Sequence, residues 1–216
     1  MAARGLLGAR LVRSDLWGVR AGRIVEVEAY IGTDDRASHA RFGPTKRNGV
    51  MFGPPGHAYV YLVYGMYHCL NVVTQARGFA AALLVRSVEP LEGGDLMRRA
   101  REEWVVARPG HESSALGDTA RAAAARRRVA ALPLERLASG PGLVCAAFSI
   151  GRDENGLDLC DPTASLHLEP ARPGDPLEPA FGPRIGLGDT PEPWLSKPWR
   201  VWAAGNPAVS GPRARR

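Results

Sequence analysis

Residues 58–73, AYVYLVYGMYHCLNVV, decide how the rest of the chain is read. Two apolar, β-rich runs, 58–63 and 69–74, are separated by YGMYH, and Gly65 permits the tight turn of a hairpin. Four of the five tyrosines fall here: Tyr59, Tyr61, Tyr64 and Tyr67. On a strand, Tyr59 and Tyr61 share one face, and Val60 and Leu62 the other. Tyr64 sits beside the turn glycine, where its own strands cannot bury it. So much aromatic surface is either a packed cluster or a stacking platform with a protruding wedge. The second arrangement suits nucleic acid.

On either side of the hairpin the pattern is mixed. Residues 21–31, AGRIVEVEAYI, alternate like a strand: Arg23, Val25, Val27, Ala29 and Ile31 on one face, Ile24, Glu26, Glu28 and Tyr30 on the other. Residues 32–57 form a long polar loop rich in Gly and Pro with no obvious element of its own, and loops of this length in compact domains are usually functional or disordered. Residues 80–88 form a further apolar run. PLEGGDLMRRAREEW (90–104) reads as a helix start and body, and 115–138 as an Ala- and Arg-rich helix that SGPG (139–142) breaks. Short strands are expected near 166–169, 184–188 and 199–205. Strands cluster instead of alternating with helices, which predicts an α+β fold: one domain over 1–210 and a basic tail over 211–216.

The composition narrows the function classes. A chain of 216 residues and 23.2 kDa with 45% hydrophobic residues fits a single core. No apolar run is long enough to cross a bilayer, so no membrane association is expected. Cys69, Cys145 and Cys160 are too few and too scattered for a disulfide framework or a zinc site, which fits a reducing cytoplasm. The net charge is +6, and only Lys46 and Lys197 among the 28 basic residues are lysines. Arginine-rich positive charge suits phosphate oxygens. The Arg126–Arg128 run is open to two readings, a solvated helix face or an added DNA contact.

Two glutamates two residues apart stand side by side on a strand face. Spacing alone leaves two readings of Glu26 and Glu28: a solvated face, the commoner fate of charge, or a general base beside an aromatic wall. His39 lies in no metal-ligand spacing, and no Walker or G-x-S-x-G motif appears.

RIVEVEAY (23–30), ASHA (37–40), RNGVMF (47–52), GHAYVYLVYGMYHCLNVV (56–73), LLVRSVEPLEG (83–93), SGPG (139–142) and RIGLG (184–188) together resemble the alkyladenine (3-methyladenine) DNA glycosylase family. The resemblance spans about Leu6 to about Ser210. It implies a curved, antiparallel-rich sheet with surrounding helices and a protruding hairpin, the formyltransferase C-terminal-like glycosylase fold. It implies a monofunctional enzyme without cofactor or metal that flips a damaged purine out of double-stranded DNA and hydrolyses its N-glycosidic bond, working as a monomer in a bacterial cytoplasm. Residue by residue, Glu28 resembles the general base and Arg86 the partner that helps position the attacking water. The main chain at Ile185 resembles a further water contact. Tyr30, Ala37, His39 and Tyr61 resemble pocket walls, Asn71 a pocket floor that discriminates against a purine amino group, and Tyr64 the wedge that fills the hole in the duplex. One block departs from the family's usual G-P-G-K-L: here it reads Gly140-Pro141-Gly142-Leu143-Val144, so a lysine contact is not implied at that point.

Overall fold

A computed structural model describes residues 2–107, 115–174 and 176–211. A short helix, α1 (Ala2–Leu6), precedes a hairpin of β1 (Arg10–Asp15) and β2 (Gly18–Ile31). The tyrosine-rich stretch forms a second hairpin, β3 (Ala58–Val63) and β4 (Tyr67–Val73), and β5 (Ala81–Glu92) follows. Helices α2 (Gly94–Ala107), α3 (Ala115–Ala130) and α4 (Pro141–Phe148) come next, then β6 (Leu166–Glu169), β7 (Pro179–Gly182) and β8 (Arg200–Ala203). The basic tail, apart from Gly211, lies outside the described residues. Among the described residues no helix is long and apolar enough to cross a membrane.

The strand order is β3-β4-β5-β2-β1-β6, with β8 also on β2 and β7 on β8, and every pairing is antiparallel. One edge of β2 runs along β5. The other edge is shared: β1 takes residues 18–23 and β8 takes 26–28. Within the β2–β5 ladder, Ile24 faces Val88, Glu26 faces Ser87 and Val27 faces Val85. Val25 and Arg86 are therefore the extra residues of bulges on facing strands. Bulges bend a sheet and re-aim side chains.

These bulges overturn the simple alternation expected for 21–31. Ile24 and Val27, three residues apart, join the same core cluster, as do Val85 and Val88 on β5. Val25 instead packs with Ala203 and Ala208. The main core lies between one face of the sheet and the helices, with Leu70 and Val72 of β4, Met97 of α2 and Val144 and Phe148 of α4 among its members. The opposite face is left for Glu26, Glu28 and Tyr30, and it is covered by loops.

Other expectations need correction. RIGLG (184–188) is not a strand; the strand comes earlier, at β7, and pairs only with β8. Residues 90–92 end β5 instead of opening a helix, and α3 stops at Ala130 instead of running to residue 138. The 32–57 loop holds two 3₁₀ turns, His39–Phe42 and Gly49–Phe52. It is organised around the buried Asn48, whose amide donates to the carbonyls of His39 (2.8 Å) and Gly43 (3.0 Å) and accepts from the Thr45 amide (2.6 Å). Loop backbone needs such partners when it lies against the body of a protein.

Candidate active site

Register across the sheet assembles the site. Tyr59, Asn71, Leu84, Glu28 and Arg200 are successive Cα partners across β3, β4, β5, β2 and β8, so they form one row on the loop-covered face. Tyr61 and Cys69 form the next row on one side, and Val73, Ala82 and Tyr30 the row on the other.

The solvated-face reading of the glutamates fails: Glu26 and Glu28 are both 0% exposed. Glu28 Oε1 accepts from the Ile185 amide (2.7 Å) and faces Arg86 Nη1 (3.2 Å), while Oε2 accepts from Tyr30 Oη (3.0 Å). Burial pushes the Glu28 carboxyl up; Arg86, the Ile185 amide and Tyr30 pull it down, Glu26 adds to the rise, and the net direction is up. Glu26 differs in its partners. Its Oε1 accepts from Arg86 Nε (2.9 Å) and Arg200 Nε (2.7 Å), and its Oε2 from Ser87 Oγ (3.1 Å) and the Ser210 amide (2.6 Å). Burial also works against its charge, but Arg86, Ser210 and Arg200 together outweigh it and hold the carboxyl below its usual range.

Beside Glu28 lies a cavity of about 420 Å³. Tyr30, Ala37, His39, Tyr61 and Asn71, all singled out in the sequence, line it. His39 meets Tyr61 edge-on (centroids 4.5 Å, 79°), and its Nδ1 shares a hydrogen bond with Tyr59 Oη (3.0 Å). Burial, then the charges of Arg47 and Arg41, push the His39 ring toward its neutral form. The Arg47 guanidinium lies 5.5 Å from the Tyr61 ring centroid. Asn71 Nδ2 donates to the carbonyl of Tyr59 (3.0 Å) and, at 3.4 Å, to that of Cys69, which fixes the amide against the cavity wall. Burial pushes the Tyr59 phenol up to about 12 and drives Tyr30 and Tyr61 higher still, so all three rings stay neutral.

The remaining predicted residues lie outside the cavity lining. Glu28 and Arg86 are buried next to the lining, Glu28 in contact with the lining residue Tyr30, and Ile185 reaches Glu28 through its main chain while its neighbours Gly186 and Leu187 line the cavity. Tyr64 stands at the hairpin tip, 83% exposed. It has φ 53° and Gly65 has φ 67°, the positive pair of a primed hairpin turn, which points the tyrosine outward at some cost in backbone strain.

Other residues that build the site had little or no signal in the sequence. Tyr59, which shares its strand face with Tyr61 but is given no role by the resemblance, also lines the cavity. Arg184 and Asp35, both fully buried, form a two-pronged ion pair (2.6 and 2.9 Å). Arg184 also donates to the Ala29 carbonyl (2.9 Å) and lies 4.6 Å from the Tyr30 ring centroid. This pair ties the loop carrying Ala37 and His39 to the loop carrying Ile185. Among the described residues no cluster of three or more His, Cys, Asp or Glu side chains offers a metal site.

The family model for methylpurine-DNA glycosylase (MPG) matches residues 1–207. A protein of Methanocella arvoryzae named "Putative 3-methyladenine DNA glycosylase" is 44% identical over 209 residues, 96% of this chain and 88% of that one. Proteins of the same name from Myxococcus xanthus (42% over 210 residues, 97% and 87%) and Bacillus cereus (38% over 213 residues, 96% and 92%) are similar along nearly their whole length. A family match along almost the whole sequence, joined to full-length relatives, shows that the chain belongs to the methylpurine-DNA glycosylase family.

Proposed function

We propose that this protein is a monofunctional DNA glycosylase that removes alkylated purines from double-stranded DNA as the first step of base excision repair. The observation that carries the reading is a buried carboxylate, Glu28, placed next to an aromatic cavity and held by an arginine, a main-chain amide and a tyrosine hydroxyl. Glu28 takes a proton from water, the water oxygen bonds to C1′, and the C1′–N bond breaks with its electron pair leaving on the base. A carboxylate whose proton affinity is raised by burial is a stronger base than a solvated one, which favours its protonation in the transition state. Arg86 and the Ile185 amide hold the carboxylate and the water site in place. Neither Lys46 nor Lys197 lines the cavity, which favours water over an amine as nucleophile.

The extruded base stacks between Tyr30, Tyr61 and His39, with Ala37 beside them and Asn71 at the floor. Tyr64 fills the space the base leaves, and extrusion costs least for a damaged or mispaired base. Cationic lesions such as 3-methyladenine depart as neutral bases; neutral ones such as hypoxanthine or ethenoadenine need a proton first. Lys46, Arg47 and Arg152 line a hollow along the hairpin, next to Tyr61 and Leu62, and bring positive charge to the phosphates. In this reading residues 1–210 form one glycosylase domain of the formyltransferase C-terminal-like type, acting as a monomer on nucleoid DNA in the cytoplasm.

The test is release of free base from methylated duplex DNA and from duplexes carrying one hypoxanthine or one ethenoadenine. Release from at least one of these is expected; no release from any of them overturns the reading.

A further inference from the structure

We infer that Glu26 is a positioning residue, which orients Arg86 toward Glu28 and fastens the chain's 200–210 segment beneath it. The inference rests on the glycosylase reading and deepens it.

Three nitrogens of the Arg86 guanidinium meet three different partners. Nε donates to Glu26 Oε1 (2.9 Å), Nη2 to Ser210 Oγ (3.3 Å), and Nη1 faces Glu28 Oε1 (3.2 Å). A planar fork held along two edges has its third edge aimed. Glu26 supplies one of the two holding contacts directly. It supplies the other indirectly, because its Oε2 accepts the Ser210 amide (2.6 Å) and so sets where the Ser210 hydroxyl stands. The second arginine in the region is also claimed by Glu26. Arg200 is the Cα partner of Glu28, yet its guanidinium leans diagonally to Glu26 Oε1 (2.7 Å), and its Nη2 donates to the Ser210 carbonyl (2.9 Å). Glu28 is thus left with one arginine at one oxygen, although two arginines lie within reach of the pair.

The sheet irregularities fit this role. Glu26 sits between two of the three register shifts of the β2–β5 ladder, opposite Ser87, and the bulge residue Arg86 lies just beyond.

The groups facing Glu28 are Glu26 and Tyr30 from β2, Arg86 from β5, Arg200 from β8 and, through the Tyr30 ring, Arg184. Replacing Glu26 by Gln removes a like charge and keeps one oxygen that accepts from Arg86, with the loss of one acceptor toward Ser87 and Ser210. Replacing it by Ala removes the charge and the holding contact together. The two variants therefore separate charge from positioning.

The experiment is single-turnover base release from methylated duplex DNA as a function of pH by wild type, Glu26→Gln and Glu26→Ala, with DNA affinity measured in parallel. Wild-type release is the control for the glycosylase reading itself; its absence overturns that reading before the variants are compared. Glu26→Ala is expected to lose about tenfold or more in the rate constant with DNA affinity within about twofold. The acid limb of Glu26→Gln is expected below wild type, and that of Glu26→Ala above Glu26→Gln. In an Arg86→Gln background, Glu26→Ala is expected to cost less than about threefold more. Coincident limbs for Ala and Gln, or losses that add fully in the double variant, would overturn the inference. If Glu26→Ala does not fold, Glu26→Asp decides: it keeps the charge and shortens the reach to Arg86, so a rate loss of about tenfold with DNA affinity kept supports the inference, and a wild-type rate overturns it.

Discussion

Glu26 and Glu28 lie two residues apart on one strand, both are fully buried, and both touch Arg86, yet their carboxyls shift in opposite directions. Glu26 accepts from two arginines, a serine hydroxyl and a main-chain amide. Glu28 has one arginine at 3.2 Å, one amide and one phenol. Burial costs each of them charge stabilisation; only Glu26 has enough partners to overcome it. A buried carboxylate saturated with cations is an anchor, because nothing is gained by protonating it. A buried carboxylate with too few partners is held ready to take a proton. The two carboxyls differ here in the count of donors, four around Glu26 and three around Glu28.

The sharpest way to break this contrast is to neutralise each group in turn. Glu28→Gln is expected to lower base release by about 10²- to 10⁴-fold, the range of general-base contributions. Its thermal stability at neutral pH should equal or exceed wild type, because the raised Glu28 carboxyl favours the folded state only in acid and loses that contribution as pH rises through its folded value. Glu26→Ala should instead cost about 3–5 kcal/mol, the usual penalty for breaking a buried ion pair, measured by chemical denaturation. The sign of its pH dependence is opposite: the lowered Glu26 carboxyl stabilises the fold above the ordinary glutamate range, and that stability is lost as pH falls. The gap between Glu26→Ala and wild type should therefore close in acid, whereas the gap between Glu28→Gln and wild type should close there from the other side.

Tyr64→Ala tests a region remote from both carboxylates. It should weaken the extrusion equilibrium, read by ethenoadenine fluorescence, while leaving the acid limb of the pH–rate profile unmoved and the stability within about 0.5 kcal/mol. A shift of the acid limb would mean that the exposed tip and the buried pair are coupled. A small effect on the buried pair itself is expected for Tyr30→Phe. It removes one donor to Glu28 Oε2 at about 0.5–1.5 kcal/mol and moves the acid limb further up.

Much of the cavity was legible in the sequence because period-two alternation survives in the hairpin. The parity of Tyr59, Tyr61 and Asn71 follows from residues 58–73 alone, and Glu28 and Tyr30 lie beyond the β2 bulge, where alternation resumes. The bulges at Val25 and Arg86 were not legible. Each adds one residue to a ladder without any change in composition, so the inward set moves from Ile24 to Val27 with no local signal. The burial of Glu26 had no signal for the same reason, since its partners Arg200 and Ser210 lie more than 170 residues away in sequence. Asp35 and Arg184 are 149 residues apart and meet only in the fold. RIGLG reads as a strand by composition, but its backbone is a loop with Gly186 at φ 76°, and in it the Ile185 amide donates to Glu28. Arg126, Arg127 and Arg128 are exposed on α3.

The central claim is that, of two adjacent buried carboxylates, Glu28 performs the chemistry. Single-turnover release of purine from methylated duplex DNA by wild type and Glu28→Gln, at matched DNA occupancy, tests it most directly. The account predicts release by wild type and a loss of at least about 10²-fold in the variant with binding preserved. Release by Glu28→Gln at the wild-type rate would contradict it.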